Sequence, residues 1–210
     1  MEKKEITVAL AGNPNSGKTT IFNNITGSRQ HVGNYPGVTV EKKSGDVIYK
    51  GYKINVVDLP GTYSLTAYSE DEIVARNYII NEKPDIVVDV IDASNLERNL
   101  YLAVQIMELG IPVILAFNMA DIVKQCGLVI NISQLSDLLG TPIVETTGFK
   151  NKGTKELLDE IIKLKENEGK SPYKIKYGEE VENEIDRISR IIIDKKIILK
   201  NLNPGWVSLK

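Results

Sequence analysis

Eight consecutive residues, Gly12-Asn13-Pro14-Asn15-Ser16-Gly17-Lys18-Thr19, fit the pattern G-x-x-x-x-G-K-[ST]. The chemistry of such a run is the capture of a phosphate chain. Its glycines let backbone N–H groups wrap an anion, and the helix opening behind it adds a favourable dipole. Lys18 is placed to reach the β- and γ-phosphates of a nucleotide, and the Thr19 hydroxyl to ligate Mg²⁺. Asn13, Asn15, Ser16, Gly17 and Thr20 are the other residues assigned to this nucleotide-binding loop. A glycine-rich turn that binds nothing is the plain alternative. The strand before the loop and the helix after it favour the phosphate reading.

Two further groups lie downstream. Asp58-Leu59-Pro60-Gly61 ends an apolar run, where ligands of such sheets bind. Asp58 can hold Mg²⁺ through water there, and the Gly61 N–H can face the γ-phosphate. Asn118-Met119-Ala120-Asp121 also follows a strand. A carboxylate at Asp121 can accept from both N1–H and N2–H₂ of guanine. Adenine offers no such donor pair and would leave the carboxylate unpaired, so the pattern selects GTP over ATP. Asn118 would brace the loop, and the backbone at Thr147 and Gly148 is the natural partner for the guanine O6. D-x-x-G or N-x-x-D alone is an ordinary turn; the order along the chain gives them weight.

The elements that must position these groups alternate. Strand signals cover 6–11, 46–50, 53–58, 85–91, 112–117 and 142–145. Helix signals cover 19–25, 70–80, 96–109, 132–139 and 154–165. Gly51-Tyr52 reads as the turn of a hairpin. The expectation is an α/β fold with a mostly parallel six-stranded sheet and helices on both faces. A polar stretch around 166–172 marks a boundary, giving a G domain over 1–168 and the start of a helical domain over 172–210. In the second, Val181, Ile185, Ile188 and Ile192 form a helical stripe, and Trp206 begins another helix after Pro204-Gly205. A helix opening so near the last residue reads as a truncated segment.

Composition bounds the rest. The 210 residues carry 26 Lys+Arg against 28 Asp+Glu, so the near-neutral chain lacks the basic footprint of a nucleic-acid binder. One Cys, Cys126, excludes a disulfide framework. No apolar run nears the roughly 18 residues of a membrane span.

The ordered motifs resemble those of TRAFAC-type small GTPases, and more closely the cytosolic G domain of the FeoB family of ferrous-iron transport proteins. The residues that carry the resemblance are the phosphate loop, Thr26-Gly27-Ser28-Arg29-Gln30, Val32-Gly33-Asn34-Tyr35-Pro36-Gly37-Val38-Thr39-Val40-Glu41, Asp58-Leu59-Pro60-Gly61-Thr62-Tyr63-Ser64-Leu65, and Asp92-Ala93-Ser94-Asn95-Leu96-Glu97-Arg98-Asn99-Leu100-Tyr101. The resemblance implies a Ras-like P-loop fold followed by a helical (GDI-like) domain leading to a membrane-embedded remainder. It implies GTP and GDP as ligands, Mg²⁺ held by Thr19, Thr39 and Asp58, and K⁺ beside Asn15. Lys18, Thr39 and Gly61 would then be the catalytic groups. Thr39 lies on a Gly/Pro-punctuated loop able to move.

Two departures from the Ras pattern matter. Thr62 stands where a water-orienting Gln is usual, which implies slow intrinsic hydrolysis. Met119 replaces the customary Lys of the guanine loop; FeoB-like proteins share both features. His31 and Cys126 stand alone and suggest no metal site, and Asp89, inside an apolar run, is expected to reach solvent or a polar partner.

The resulting expectation is a slow, Mg²⁺-dependent, K⁺-stimulated GTPase on the cytoplasmic face of the cell membrane, itself soluble, regulating a ferrous-iron transporter. A homo-oligomer is left open, and no nucleic acid is expected as a partner. The rival is a soluble GTPase acting on RNA or the ribosome, which the acidic composition disfavours; a scaffold without turnover is the blander option.

Overall fold

The apolar run at the start of the chain becomes the centre of the sheet. In the computed structural model, which describes residues 4–27, 29–35, 38–66, 68–167, 177–195 and 204–209, β1 (Lys4–Gly12) lies between β4 (Tyr52–Asp58) and β5 (Ile86–Asp92), parallel to both. A strand buried on both faces has to be apolar throughout, and Ile6, Val8, Ala9 and Leu10 are wholly buried. With β2 (Gln30–Asn34), β3 (Glu41–Tyr49), β6 (Val113–Asn118) and β7 (Ile143–Glu145), the order is β2-β3-β4-β1-β5-β6-β7. The β3 and β4 pairing is antiparallel, as is that of β2 and β3; the other neighbours run parallel.

Helices cover both faces. On one, α1 (Lys18–Thr26) and α6 (Thr154–Glu166) bury Ile21, Phe22, Ile25, Leu157 and Ile161 against Ile6, Val8 and Leu10. On the other, α2 (Glu70–Glu82) and α3 (Leu96–Glu108) bury Val74, Ile79, Leu102 and Ile106 against Ala9, Val57 and Phe117. The short α4 (Ala120–Gln125) and α5 (Ile132–Leu139) flank β6 and β7.

The sheet has seven strands rather than six. The extra one, β2, is exposed at every residue and carries no apolar alternation, so only its backbone ladder to β3 defines it. The hairpin turn sits at Lys50 and Gly51, one residue earlier than expected, because its twist needs positive φ at both centres, here 46° and 84°. Asp89 reaches neither solvent nor partner: it is 1% exposed, and neither carboxyl oxygen is hydrogen-bonded among the described residues. Its register, opposite Ala11 and Leu115, seals it between central strands.

The predicted boundary at 168–172 falls outside the described residues. Beyond it, α7 (Glu179–Asp194) carries the expected stripe, with Ile192 buried and Val181 and Ile188 exposed. The helix α8 (Pro204–Leu209) opens on proline, which suits a first turn, and Ser208 hydrogen-bonds Ser189 of α7 at 3.0 Å. No described helix is long and apolar enough to cross a membrane.

Candidate functional site

The phosphate loop leaves β1 at Gly12 and closes at Gly17, the N-cap of α1. Two glycines are there for space. A Cβ on Gly12 would lie 2.6 Å from the Val90 carbonyl, and one on Gly17, where φ is +86°, would lie 2.2 Å from Asn118 Nδ2. The loop is drawn tight by Ser16 N–H donating to Asn13 O at 3.2 Å. Asn13 Oδ1 and Ser16 Oγ are buried without hydrogen-bond partners among the described residues. Asn15 is exposed, with φ of +66°. Thr19 is exposed on the first turn of α1, with Thr20 half-buried beside it.

Lys18 and Asp58, 40 residues apart, meet as a buried ion pair across the loop. Burial pushes the Asp58 carboxyl up, and Lys18 partly offsets it. Asp58 therefore already holds a cation, which is the charge a metal would supply. Among the described residues no three His, Cys, Asp or Glu side chains cluster as a metal cage. A single carboxylate suits Mg²⁺, which takes few protein ligands and completes its octahedron with phosphate and water. After β4 the chain folds back on the loop: Thr62 N–H donates to Gly12 O at 3.2 Å, and Gly61 packs against Pro14. Thr39 is exposed, and its side chain makes no hydrogen bond among the described residues, so it is not gathered with Lys18 and Asp58.

At the other end, Asn118 joins three segments. Its Nδ2 donates to Ser16 O at 2.9 Å, while its Oδ1 accepts from Gly148 N at 2.9 Å and from the Thr146 hydroxyl at 3.3 Å. Met119 turns the chain with φ of +61° and caps α4. Asp121 Oδ1 is buried with no hydrogen-bond partner among the described residues, and Oδ2 takes the Lys150 ammonium at 3.0 Å. That hydrogen bond holds the carboxyl below its ordinary range. The Thr147 N–H donates to Lys152 O and the Gly148 N–H to Asn118, so both are already engaged.

The residue pattern of the family described as ferrous iron transport protein B matches residues 6–161. The chain belongs to the FeoB family. The Fe(2+) transporter FeoB of Escherichia coli K12 is 45% identical over 193 residues, which is 90% of this chain and 25% of that protein. The chain thus spans about a quarter of the length of the curated FeoB relatives it matches. Among solved structures, the cytosolic domain of T. maritima FeoB in a GDP form superposes with a TM-score of 0.91 at 43% identity, covering 98% of this chain and 80% of that one. The FeoB G-domain from Methanococcus jannaschii gives 0.69 at 50% identity, covering 76% of this chain and 96% of that one.

The geometry explains an FeoB signature that carries no chemistry of its own. Asp92 caps the turn Ala93–Asn95 through Ser94 N–H, and Asn99 accepts the Asp92 N–H and ties Asn95 O. The result fixes Arg98, whose carbonyl accepts from Asn13 Nδ2 at 3.5 Å and whose guanidinium lies 4.1 Å over the Tyr63 ring. Sequence reasoning missed Asn24, which holds Gly148 O at 2.7 Å, as well as Lys150 and Tyr35. The first two carry no motif. Tyr35 had a signal, an aromatic residue inside a loop of glycine and proline.

Proposed function

We propose that this chain is the GTP-binding and slowly GTP-hydrolysing domain of an FeoB ferrous-iron transporter, acting at the cytoplasmic face of the membrane. The observation that carries it is the double tie of Asn118, which makes the phosphate loop and the base loop one unit. Asp121 Oδ1, buried and without a hydrogen-bond partner among the described residues, is the acceptor that the guanine N1–H would satisfy.

Lys18 would leave Asp58 for the β- and γ-phosphates, while backbone N–H groups of Asn15 to Thr19 wrap the same anion. Thr19, Asp58 and Thr39 would hold Mg²⁺, which neutralises charge on the transferring phosphoryl group. Thr39 has to move inward for this, from an exposed position between the half-buried Val38 and Val40. The Gly61 N–H would meet the γ-phosphate. The Thr62 hydroxyl donates to Ser64 O at 2.8 Å and is buried, so it is committed elsewhere than to an attacking water. Slow intrinsic turnover follows. Asn15 is exposed on the phosphate loop, with no side-chain hydrogen bond among the described residues, and would bind K⁺ there and place a fixed cation at the developing charge. Ordering and release of the segments at Thr39 and after Gly61 would signal to the transporter's membrane part.

Single-turnover hydrolysis of GTP with Mg²⁺, in K⁺ and then in Na⁺, tests this reading. Slow GTP cleavage that K⁺ accelerates supports it. No GTP cleavage in either salt contradicts hydrolysis, and equal rates remove the role of Asn15.

A further inference from the structure

We propose that Lys150 is a specificity-determining positioning residue, which orients the guanine-reading carboxylate of Asp121. The inference rests on the guanine reading of the base loop and adds a residue to it.

The two oxygens of Asp121 are treated differently. Oδ1 is buried with no hydrogen bond among the described residues, and Oδ2 is held by the Lys150 ammonium at 3.0 Å. An ordinary rim ion pair leaves both oxygens wet and free to rotate, and contributes little. Here one oxygen is already desolvated and the other is held by Lys150, with the backbone N–H groups of Asp121 and Ile122 as lesser influences on the same carboxyl. Lys150 is the one side chain bonded to Asp121 among the described residues. It is itself placed by a tight frame: Asn24 holds Gly148 O, Asn118 holds Gly148 N, and the Lys150 N–H donates to Thr147 O at 3.0 Å. Its ammonium also lies 4.8 Å over the Phe149 ring.

A carboxylate oxygen has two lone-pair sites, so Oδ2 can keep Lys150 and still accept from the guanine N2 amino group. Oδ1 then takes N1–H. Lys150 thus acts on the second prong of a two-pronged contact. Without it the carboxylate turns about its terminal torsion, and the N2 contact is lost before the N1 contact.

Inosine nucleotides lack the N2 amino group and isolate that prong. Dissociation constants for GDP, IDP and ADP would be measured on the wild type, Lys150→Ala and Lys150→Arg, with thermal melting of each. We expect Lys150→Ala to weaken GDP about fivefold, the upper end for a half-exposed pair, and IDP by much less. The GDP-to-IDP preference falls, while Lys150→Arg restores it, with melting unchanged. An unchanged preference in Lys150→Ala overturns the proposal, and so does a rise, which would mean that Lys150 competes with the base. A wild type that binds ADP as tightly as GDP would instead defeat the guanine reading itself.

Discussion

The Tyr35 hydroxyl donates a hydrogen bond to the backbone carbonyl of Asp58 at 3.2 Å. The ring is 5% exposed, meets Tyr78 edge-on at 6.0 Å and 80°, and lies under the Lys42 ammonium. A loop read as mobile therefore has one end fixed in the core, four residues from Thr39. Burial also drives the Tyr35 phenol well above its ordinary range and the Tyr78 phenol up to about 12, so both stay neutral at any physiological pH.

Removing the hydroxyl and removing the ring should differ. Tyr35→Phe loses one hydrogen bond and about 1 kcal/mol. Tyr35→Ala opens a cavity and loses about 3–5 kcal/mol. Urea denaturation checks both. Equal losses would mean that the hydroxyl, not the ring, anchors the segment.

The buried pair of Lys18 and Asp58 makes a different prediction. Lys18→Met strands a buried carboxylate and should cost about 3–5 kcal/mol besides abolishing nucleotide binding. Adding Asp58→Asn removes the stranded charge, so the double variant should be more stable than Lys18→Met alone. Chemical denaturation of the three variants decides it. A double variant less stable than Lys18→Met would show that the two residues do not act as a pair.

Asp89 gives stability a pH dependence of definite sign. Desolvation raises its carboxyl from 3.8 to about 7 in the folded chain. The folded state then binds the proton more tightly than the unfolded one, so this contribution is full below about pH 4 and is lost as pH rises towards 7. The loss is of the order of a few kcal/mol. Asp89→Asn cannot titrate, and its unfolding free energy should fall less over that window. Parallel profiles for the two proteins would contradict the assignment.

The sequence announces what local chemistry dictates. The phosphate loop, the β3 and β4 hairpin and the alternation of strand and helix each follow from a few neighbouring residues, and the structure holds their bounds within a residue or two except at β3, which begins five residues earlier, at Glu41. Asp58 was legible because it ends an apolar strand, and Asp121 because its loop follows the end of another on the same side of the sheet. Long-range pairings were not. Lys150 lies 29 residues from Asp121, and Asn24 lies 124 residues from Gly148. No spacing rule connects such partners; only the fold does. The edge strand β2 was invisible because nothing is buried on either face. Asp89 was misread because an isolated carboxyl in a core is costly, and the expectation followed that cost.

The most direct test of the account is competition between GDP and ADP for the wild-type chain in Mg²⁺. Because an adenine edge would leave Asp121 unpaired, the account predicts that GDP binds at least about 100-fold more tightly. Equal displacement by the two nucleotides, or no binding of either, would contradict it.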